Sequence, residues 1–313
     1  MKLSIVATLY QSDQYVAEFH QRTTAVAKQL AGDDFEIVLV NDGSPDNSLE
    51  FAVQLTQTDS RVSVIDLSRN FGHHKAMMTG LAHAGGEHVF LIDSDLEEAP
   101  EWLLTFDEQM IAQGSDVVFG VQPVRKGNLF EKFSGAVFYK VFRLLTGINQ
   151  PNNIVTARLM TRRYVDALLS HKERELNIGG LWILTGFRQS QQTVNKLSTS
   201  PTTYSLPRKF SHLVNAITSF SSLPLVFTFY AGMAISLSAL VYIGLLIFRY
   251  LFIAAPPDGY TSIIASIWLF SGLIIFFMGV QGIYISKIFS ESKQRPQTII
   301  RQIYGSSREK DSS

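Results

Sequence analysis

The sequence of 313 residues contains no cysteine. This absence excludes disulfides, zinc–thiolate sites, iron–sulfur clusters and cysteine nucleophiles. The chain also lacks an excess of either charge: 27 basic and 27 acidic residues cancel, so the charge balance does not point to a nucleic-acid partner. No G-x-G-x-x-G follows the first apolar segment, and G-x-x-x-x-G-K-[ST] occurs nowhere, which disfavours Rossmann dinucleotide binding and P-loop chemistry.

Charged residues are few and unevenly placed. They make up 17% of the chain, whereas an ordinary soluble domain has about 25%. Between positions 225 and 286 only Arg249 and Asp258 are charged, and residues 225–248 and 263–286 are uncharged runs of 24 residues. Each run exceeds the ~20 residues needed to cross the hydrocarbon core of a bilayer. The sequence therefore predicts a soluble N-terminal domain followed by a hairpin of two transmembrane helices, with two buried helices of a soluble domain as the alternative.

Basic residues flank the two apolar runs and avoid the segment between them, residues 254–260. Arg208 and Lys209 precede the first run. Six more follow the second: Lys287, Lys293, Arg295, Arg301, Arg308 and Lys310. By the positive-inside rule both ends of the hairpin are expected in the cytoplasm of a multi-pass membrane protein. The N-terminal apolar run is too short for a signal-peptide core, so we expect the first domain to fold in the cytoplasm.

Apolar strand-like runs alternate with helical stretches over the first 121 residues. The predicted strands are Leu3–Thr8, Glu36–Val40, Val62–Leu67, His88–Ile92 and Val117–Val121. This alternation predicts an α/β, Rossmann-like fold with a mostly parallel sheet and helices on both faces. Such sheets bind ligands at the carboxyl ends of their strands. The residues directly after each strand are therefore the candidates for a functional site.

An acidic turn follows the fourth predicted strand, with the sequence Asp-Ser-Asp-Leu-Glu at residues 93–97. Asp93 and Asp95 are two residues apart on an extended turn, so both can face one point, and Glu97 extends the series. Hard oxygen ligands of this kind suit Mg²⁺ or Mn²⁺, which normally share their coordination shell with substrate phosphates. A turn that simply caps the following helix is the alternative.

Polar residues also follow the first three strands. Thr8 and Tyr10 come after the first, Asp42 after the second and Arg69 after the third. A carboxylate at Asp42 can accept hydrogen bonds from a base or a ribose, although its N-D-G-S context is also a good β-turn. We expect these residues to lie along one edge of the sheet, where they would hold a nucleotide.

Six segments carry a resemblance to a known family. They are VNDGS (40–44), LSRNFGHHKAMMTGL (67–81), LIDSDLEEAPE (91–101), ARLMTRR (157–163), ITSFSSLPL (217–225) and IYISKIFSESKQRP (283–296). Through these motifs nearly the whole chain resembles the polyprenyl-phosphate glycosyltransferases of glycosyltransferase family 2, such as dolichyl-phosphate mannose synthases and undecaprenyl-phosphate glucosyltransferases. The resemblance implies a GT-A fold, a UDP- or GDP-linked sugar donor, a lipid-phosphate acceptor, Mg²⁺ or Mn²⁺, and a homo-oligomer.

The resemblance also implies roles for particular residues. It assigns the metal to Asp93, Asp95 and Glu97, and catalysis to Asp93, Asp95 and Arg158. It assigns the nucleotide sugar to Thr8, Tyr10, Asp42, Arg69 and Asp93. An acceptor phosphate would need cations, and its candidates are the polar and basic residues after the fifth strand, with Arg158 as a further one: Arg125, Lys126, Lys132 and Ser134.

The sequence departs from the family pattern at three places. The metal-facing Gln of DADLQDPPE is Glu97 here, and the Asp of GDFRLM is Thr156, while the Arg158 position is kept. The basic G-x-S-K-Y stretch before the membrane is replaced by residues 200–204, which lack its Gly and Lys. These differences indicate a distinct subfamily and leave the sugar and the nucleotide open.

The acceptor chemistry bears on the change at Thr156. A sugar hydroxyl must lose a proton to attack, whereas a phosphate monoester has a second pKa near ~6 and is mostly ionised at pH 7. A phosphate acceptor therefore needs nearby cations but no strong base, which makes the loss of an Asp tolerable.

Four segments are predicted. Residues 1–206 form a cytoplasmic GT-A domain, 207–224 an interfacial amphipathic helix, 225–286 two transmembrane helices, and 287–313 a cytoplasmic basic tail. The resemblance implies a membrane-anchored, inverting, metal-dependent hexosyltransferase of the bacterial inner membrane. It would move a sugar onto polyprenyl phosphate for cell-envelope or lipopolysaccharide synthesis. The alternatives are transfer directly onto a growing glycan, and a weakened sugar-nucleotide-binding scaffold.

Overall fold

The structure is a computed structural model, and it describes residues 1–123, 144–146, 153–173, 178–197, 214, 217–219, 221–252 and 259–305. The chain divides into two compact units. The sheet unit comprises Met1–Tyr139, Ile148–Ser205 and Arg295–Ser313, and the helical unit comprises Lys140–Gly147 and Leu206–Gln294.

The sheet unit begins with the predicted alternation of strands and helices. Its elements are β1 (Leu3–Leu9), α1 (Val16–Ala31), β2 (Phe35–Asn41), α2 (Ser48–Thr58), β3 (Val62–Leu67), α3 (His73–His83), β4 (His88–Asp93), α4 (Trp102–Gln113) and β5 (Val117–Val121). All five predicted strands are confirmed, with ends that differ by at most one residue. Further elements follow: β6 (Ile154–Thr161), α5 (Arg162–Leu169), α6 (Ile178–Leu184) and β7 (Gln189–Thr193).

The sheet is mixed, and among the strands that the structure describes four pairs are parallel and three are antiparallel, so the expected parallel character holds for the larger part. The eight strands found in the described residues lie in the order β7-β5-β6-β4-β1-β2-β3-β8, where β8 is Ile300–Tyr304. The pairs among β1, β2, β3 and β4 are parallel. Strand β6 runs antiparallel to both β4 and β5, and β8 runs antiparallel to β3. Because β1 to β4 run the same way, their carboxyl ends meet at one edge, as the site prediction requires.

Apolar side chains on one face of the sheet form the core with α1 and α4. All seven residues of β1 are buried, and Phe90 of β4 packs edge-on against Phe106 of α4. Gly120 has no room for a larger residue, because a Cβ there would lie 2.5 Å from a methyl group of Val155. Burial of these apolar surfaces is the main stabilising contribution to the unit.

The C-terminal segment contains a strand where the sequence predicted only a basic tail. The amide of Ser68 donates to the carbonyl of Ile299, and from there β8 pairs with β3 as far as Tyr304. Sequence reasoning missed this strand because it is five residues long and its partner lies more than 200 positions earlier. Residues 306–313 lie outside the described part of the chain.

The helical unit contains two long helices, α7 (Leu223–Phe252, 30 residues) and α8 (Tyr260–Ser292, 33 residues). Within the residues described, one segment is long and apolar enough to cross a membrane, Leu269–Ser292 of α8. In α7 the apolar segment found among the described residues, Leu223–Ile235, is too short to cross a membrane by itself. The second span of the hairpin therefore stays a prediction. Most of the predicted interfacial helix, residues 207–224, lies outside the described residues.

Candidate functional site

The acidic turn at the end of β4 is held by its own hydrogen bonds. The Ser94 hydroxyl donates to the carbonyl of Thr8 at 2.7 Å, which ties the turn to the end of β1. The Glu97 amide donates to Asp95 Oδ1 at 3.0 Å. Leu96 has a positive φ of 57°, so the chain reverses sharply between the two acidic residues. These contacts fix the backbone of the turn that carries Asp93, Asp95 and Glu97.

Asp93 lies next to a histidine that the sequence analysis did not select. His73 Nε2, from the first turn of α3, is 3.2 Å from Asp93 Oδ1, and His73 Nδ1 is 3.0 Å from the Thr8 hydroxyl. Burial alone would raise the pKa of Asp93, but contact with His73, with help from Lys196 and the Thr156 hydroxyl, holds it below its ordinary value. Burial alone would lower the pKa of His73, but Asp93 raises it above its ordinary value. The pair therefore favours a carboxylate beside an imidazolium.

A lysine lies among the carboxylates of the turn. Lys196, three residues after β7, places its Nζ 3.3 Å from Glu97 Oε2, 3.7 Å from Glu98 Oε1 and 4.0 Å from Asp93 Oδ2. The sequence offered little to identify it, because a single lysine after a short polar strand carries no motif. The contact joins residues about 100 positions apart and emerges only when the sheet assembles.

Glu98 forms the floor of the turn and was also missed. It is fully buried, and its Oε1 accepts the amide of Thr156 at 2.9 Å. Burial, reinforced by Asp93, raises the pKa of Glu98 to about 8. The Glu98 side chain is therefore directed into the protein, where it joins the acidic turn to Thr156 of β6.

Arg158 lies on β6, where it pairs with Leu91 of β4, two residues before Asp93. It is 1% exposed, stacks on the ring of Trp182 and donates from Nε to the carbonyl of Thr156 at 3.1 Å. Burial lowers its pKa to about 9, which still leaves it charged at pH 7. Its guanidinium lines an open cavity of about 380 Å³ beside α6 and β7. The hydrogen bond to the Thr156 carbonyl indicates that Arg158 helps to position Thr156.

Asp42 shapes the loop after β3. Its Oδ1 accepts the amide of Phe71 at 2.7 Å and its Oδ2 the amide of Gly72 at 3.0 Å. Burial raises its pKa, against the opposing effect of these two amides. Gly43 next to it has a φ of 60°, and a Cβ there would lie 2.5 Å from the backbone of Arg69. The N-D-G-S turn and the loop after β3 therefore depend on each other for their shape.

The remaining predicted residues divide into two groups. Tyr10 is 48% exposed at the end of β1, and the Arg69 guanidinium lies 4.1 Å from the centre of the Phe71 ring. With Thr8, Asp42 and the acidic turn, they lie at the carboxyl edge of the sheet. The proposed acceptor-phosphate residues lie outside the described part of the chain: Arg125, Lys126, Lys132 and Ser134.

The donor chemistry of the turn fits a hard divalent cation. One of its buried carboxyl oxygens, Glu98 Oε2, has no hydrogen-bond partner, whereas Asp93 Oδ1 lies 3.2 Å from His73 Nε2. Within the described residues, however, no three His, Asp or Glu side chains are already arranged to hold a metal ion. The ammonium of Lys196 lies in the space between the carboxylates.

Comparisons with known proteins agree with this geometry. The family model "Glycosyl transferase family 2" matches residues 4–169, more than half of the chain. A protein described as "Putative glycosyltransferases", from Mycobacterium tuberculosis strain CDC 1551, is 51% identical over 98% of this chain and 89% of its own length. An undecaprenyl-phosphate 4-deoxy-4-formamido-L-arabinose transferase from Yersinia pestis strain Pestoides F is 30% identical over 97% of this chain and 94% of its own.

Among solved structures, the crystal structure of mannosyl-3-phosphoglycerate synthase from Rubrobacter xylanophilus covers 70% of this chain and 73% of its own. It has a TM-score of 0.49 and 16% sequence identity. The family match and the near full-length relatives show which family the chain belongs to. The mixed α/β sheet with its acidic turn is the GT-A-like fold expected for that family. The chain belongs to glycosyltransferase family 2.

Proposed function

We propose that this glycosyltransferase moves a sugar from a UDP- or GDP-linked donor onto a polyprenyl phosphate in the cytoplasmic leaflet of the bacterial inner membrane. The observation that carries the proposal is Thr156, a neutral side chain whose hydroxyl hydrogen-bonds Asp93. Glu98, the carboxylate beneath it, is fully buried and accepts the amide of Thr156, so it cannot reach an incoming acceptor. An acceptor that arrives already ionised needs no base at this position.

In the proposed reaction, a phosphate oxygen of the acceptor attacks the anomeric carbon. The bond from that carbon to the donor diphosphate breaks with inversion, and the nucleoside diphosphate leaves with both bonding electrons. A divalent cation bound by Asp93, Asp95 and Glu97 would neutralise the charge that develops on this leaving group. Asp42, by holding the loop after β3, would shape the pocket for the nucleoside, with Thr8, Tyr10 and Arg69 around it.

The acceptor phosphate needs cations, and Arg125, Lys126 and Lys132, with Ser134, remain the proposed ligands. In this scheme Arg158 helps to position Thr156 by donating a hydrogen bond to its carbonyl. Charged hydrogen bonds of this kind contribute about 1.5–3 kcal/mol each. A homo-oligomer is also part of the proposal, on the family resemblance alone.

The path of the chain supports a membrane hairpin. The chain leaves the sheet unit before α7 and returns to it as β8 after α8. Both ends of the α7–α8 segment are thus joined to the sheet unit. A chain that returns to the side of the membrane from which it started must cross it an even number of times. With the basic residues on both flanks, we propose two spans with both termini in the cytoplasm.

The proposal is tested with the purified full-length protein in detergent, undecaprenyl phosphate and a panel of labelled UDP- and GDP-sugars. We expect one donor to yield a labelled lipid with the wild type and none with Asp95→Ala. Activity that persists undiminished in Asp95→Ala, or in excess EDTA, would contradict the metal part of the proposal. Label found on a glycan or a protein without undecaprenyl phosphate would favour transfer directly onto a glycan. Nucleotide-sugar binding without any transfer would favour the scaffold alternative.

A further inference from the structure

The acidic turn already contains a positive charge. Lys196 Nζ lies within 4.0 Å of carboxylate oxygens from Asp93, Glu97 and Glu98. The lysine side chain is 21% exposed, so solvent screens these contacts only in part. This is a set of ion pairs inside the candidate cation site itself.

The backbone holds Lys196 in this place. The amide of Leu197 donates to the carbonyl of Glu97 at 2.9 Å, which fastens the loop after β7 to the acidic turn. The amide of Val194 donates to the carbonyl of Val121 at 2.9 Å, which continues the β5–β7 pairing up to this loop. A lysine side chain is ordinarily an ammonium at neutral pH.

The cations already present do not reach every carboxyl oxygen of the turn. Glu98 Oε2 is buried without a hydrogen-bond partner, whereas Asp93 Oδ1 lies 3.2 Å from His73 Nε2 and Asp93 Oδ2 lies 4.0 Å from Lys196 Nζ. A divalent cation on Asp93 could therefore enter only at the expense of contacts that these residues make now.

We propose that Lys196 is a resident counter-cation of the acidic turn that competes with the divalent metal, so that the metal binds weakly until a nucleotide diphosphate is present. This inference rests on the proposed function, since it concerns the metal of that same site. Two cations a few ångströms apart repel each other, and a metal on Asp93 and Asp95 must weaken the lysine contacts. A diphosphate brings negative charge of its own and allows both cations to remain.

The test measures Mn²⁺ binding by electron paramagnetic resonance on the full-length protein in detergent, with and without UDP or GDP. The variants are Lys196→Met, which removes the charge, and Lys196→Arg, which keeps it. Lys172→Met is the matched control, because Lys172 is an exposed lysine outside the turn. Melting temperatures recorded on the same samples show that each variant is folded.

Without nucleotide, we expect Lys196→Met to bind Mn²⁺ at least about tenfold more tightly than the wild type, equivalent to ~1.4 kcal/mol. Lys196→Arg and Lys172→Met should bind Mn²⁺ with the affinity of the wild type. When nucleotide is added, the difference in Mn²⁺ affinity between Lys196→Met and the wild type should become smaller. Equal or weaker Mn²⁺ binding by Lys196→Met overturns the inference, as does the absence of Mn²⁺ binding in every sample. Transfer to undecaprenyl phosphate is scored separately, so a wrong acceptor does not affect this result.

Discussion

Thr156 and Asp93 lie on adjacent antiparallel strands, and the proposed acceptor chemistry rests on Thr156. Its hydroxyl donates to Asp93 and its amide donates to Glu98. Its carbonyl accepts the Arg158 guanidinium. Thr156 thus links three ionisable groups without contributing a charge of its own, which suits an acceptor that supplies its own negative charge.

Thr156→Ala should therefore retain most of the transfer activity. The variant loses one hydroxyl hydrogen bond, worth about 0.5–1.5 kcal/mol, so we expect the rate to fall by no more than about tenfold. Steady-state kinetics with undecaprenyl phosphate at saturating donor measure this. Asp95→Ala, assayed in parallel, should lose all measurable transfer while keeping its melting temperature. A loss in Thr156→Ala as complete as that in Asp95→Ala would mean that the hydroxyl itself takes part in the chemistry.

The site could be predicted from sequence only where residues follow apolar strands of clear pattern. Asp93, Asp95 and Asp42 meet that condition, because the direction of each strand places its following turn at one edge. His73, Lys196 and Glu98 do not, because their contacts depend on how distant segments approach one another. Glu98 follows Glu97 directly, yet only the structure shows which of the two is buried.

Among the helices, α2 depends on a carboxylate just before its first residue. Asp46 accepts the amides of Ser48 and Asp13 and the hydroxyl of Ser44. Burial alone would raise the pKa of Asp46, but these hydrogen bonds lower it from 3.8 to about 2. The carboxylate therefore stabilises the folded state above about pH 4, and this stabilisation is lost as the pH falls through 2.

Asp46→Asn should reduce the pH dependence of unfolding in that window. After allowance for partial solvent screening, we expect the drop in unfolding free energy between about pH 4 and pH 2 to shrink by about 1–2 kcal/mol. Urea unfolding followed by circular dichroism across this pH range measures it. Glu108→Gln, which removes an exposed carboxylate of α4, is the control. An identical pH profile in Asp46→Asn and the wild type would contradict the assignment.

Strand β8 closes the β3 edge of the sheet and supplies the partner of a buried carboxylate. Arg301 Nη1 is 3.3 Å from Asp66 Oδ2, and its Nη2 donates to the carbonyl of Ser68 at 2.7 Å. Asp66 is 1% exposed, and its Oδ1 accepts the side-chain amide of Asn41, the residue before Asp42. The last strand is therefore connected through two side chains to the loop after β2.

Arg301→Gln should destabilise the sheet unit, because it leaves a buried carboxylate without its charged partner. Since Arg301 is itself largely exposed, we expect a loss of about 1–3 kcal/mol rather than the larger cost of breaking a fully buried pair. The melting temperature of the detergent-solubilised protein measures the effect, and Arg301→Lys should recover part of it. Unchanged melting temperatures in both variants would show that β8 contributes little.

Some strands and helices could be predicted from the sequence and others could not, as was the case for the site residues. Apolar strands that precede helices have a strong pattern, so β1 to β5 could be predicted. Strand β7 reads Gln-Ser-Gln-Gln-Thr, and its half-exposed position removes the apolar signal. Strands β6 and β8 are antiparallel insertions whose partners are distant in sequence, so the mixed character of the sheet could not be deduced from local patterns.

The whole chain combines a family 2 sheet unit with long apolar helices, and its topology can be tested simply because it has no cysteine. Single cysteines introduced as Asp33→Cys, Pro257→Cys and Ser306→Cys need no background mutations. In intact spheroplasts, a membrane-impermeant maleimide should label Pro257→Cys alone, and after lysis it should label all three. Labelling of Ser306→Cys in intact spheroplasts would contradict the two-span arrangement.

The central claim is that the acceptor is a polyprenyl phosphate, and the mass of the lipid product tests it most directly. The purified protein is incubated with its preferred nucleotide sugar and either undecaprenyl phosphate or undecaprenol, and the lipid extract is examined by mass spectrometry. The account predicts one product with undecaprenyl phosphate, with the mass of that lipid plus a single sugar residue, which mild acid cleaves. It predicts none with undecaprenol. An equal yield from undecaprenol, or a sugar joined to anything other than the lipid phosphate, would contradict the claim.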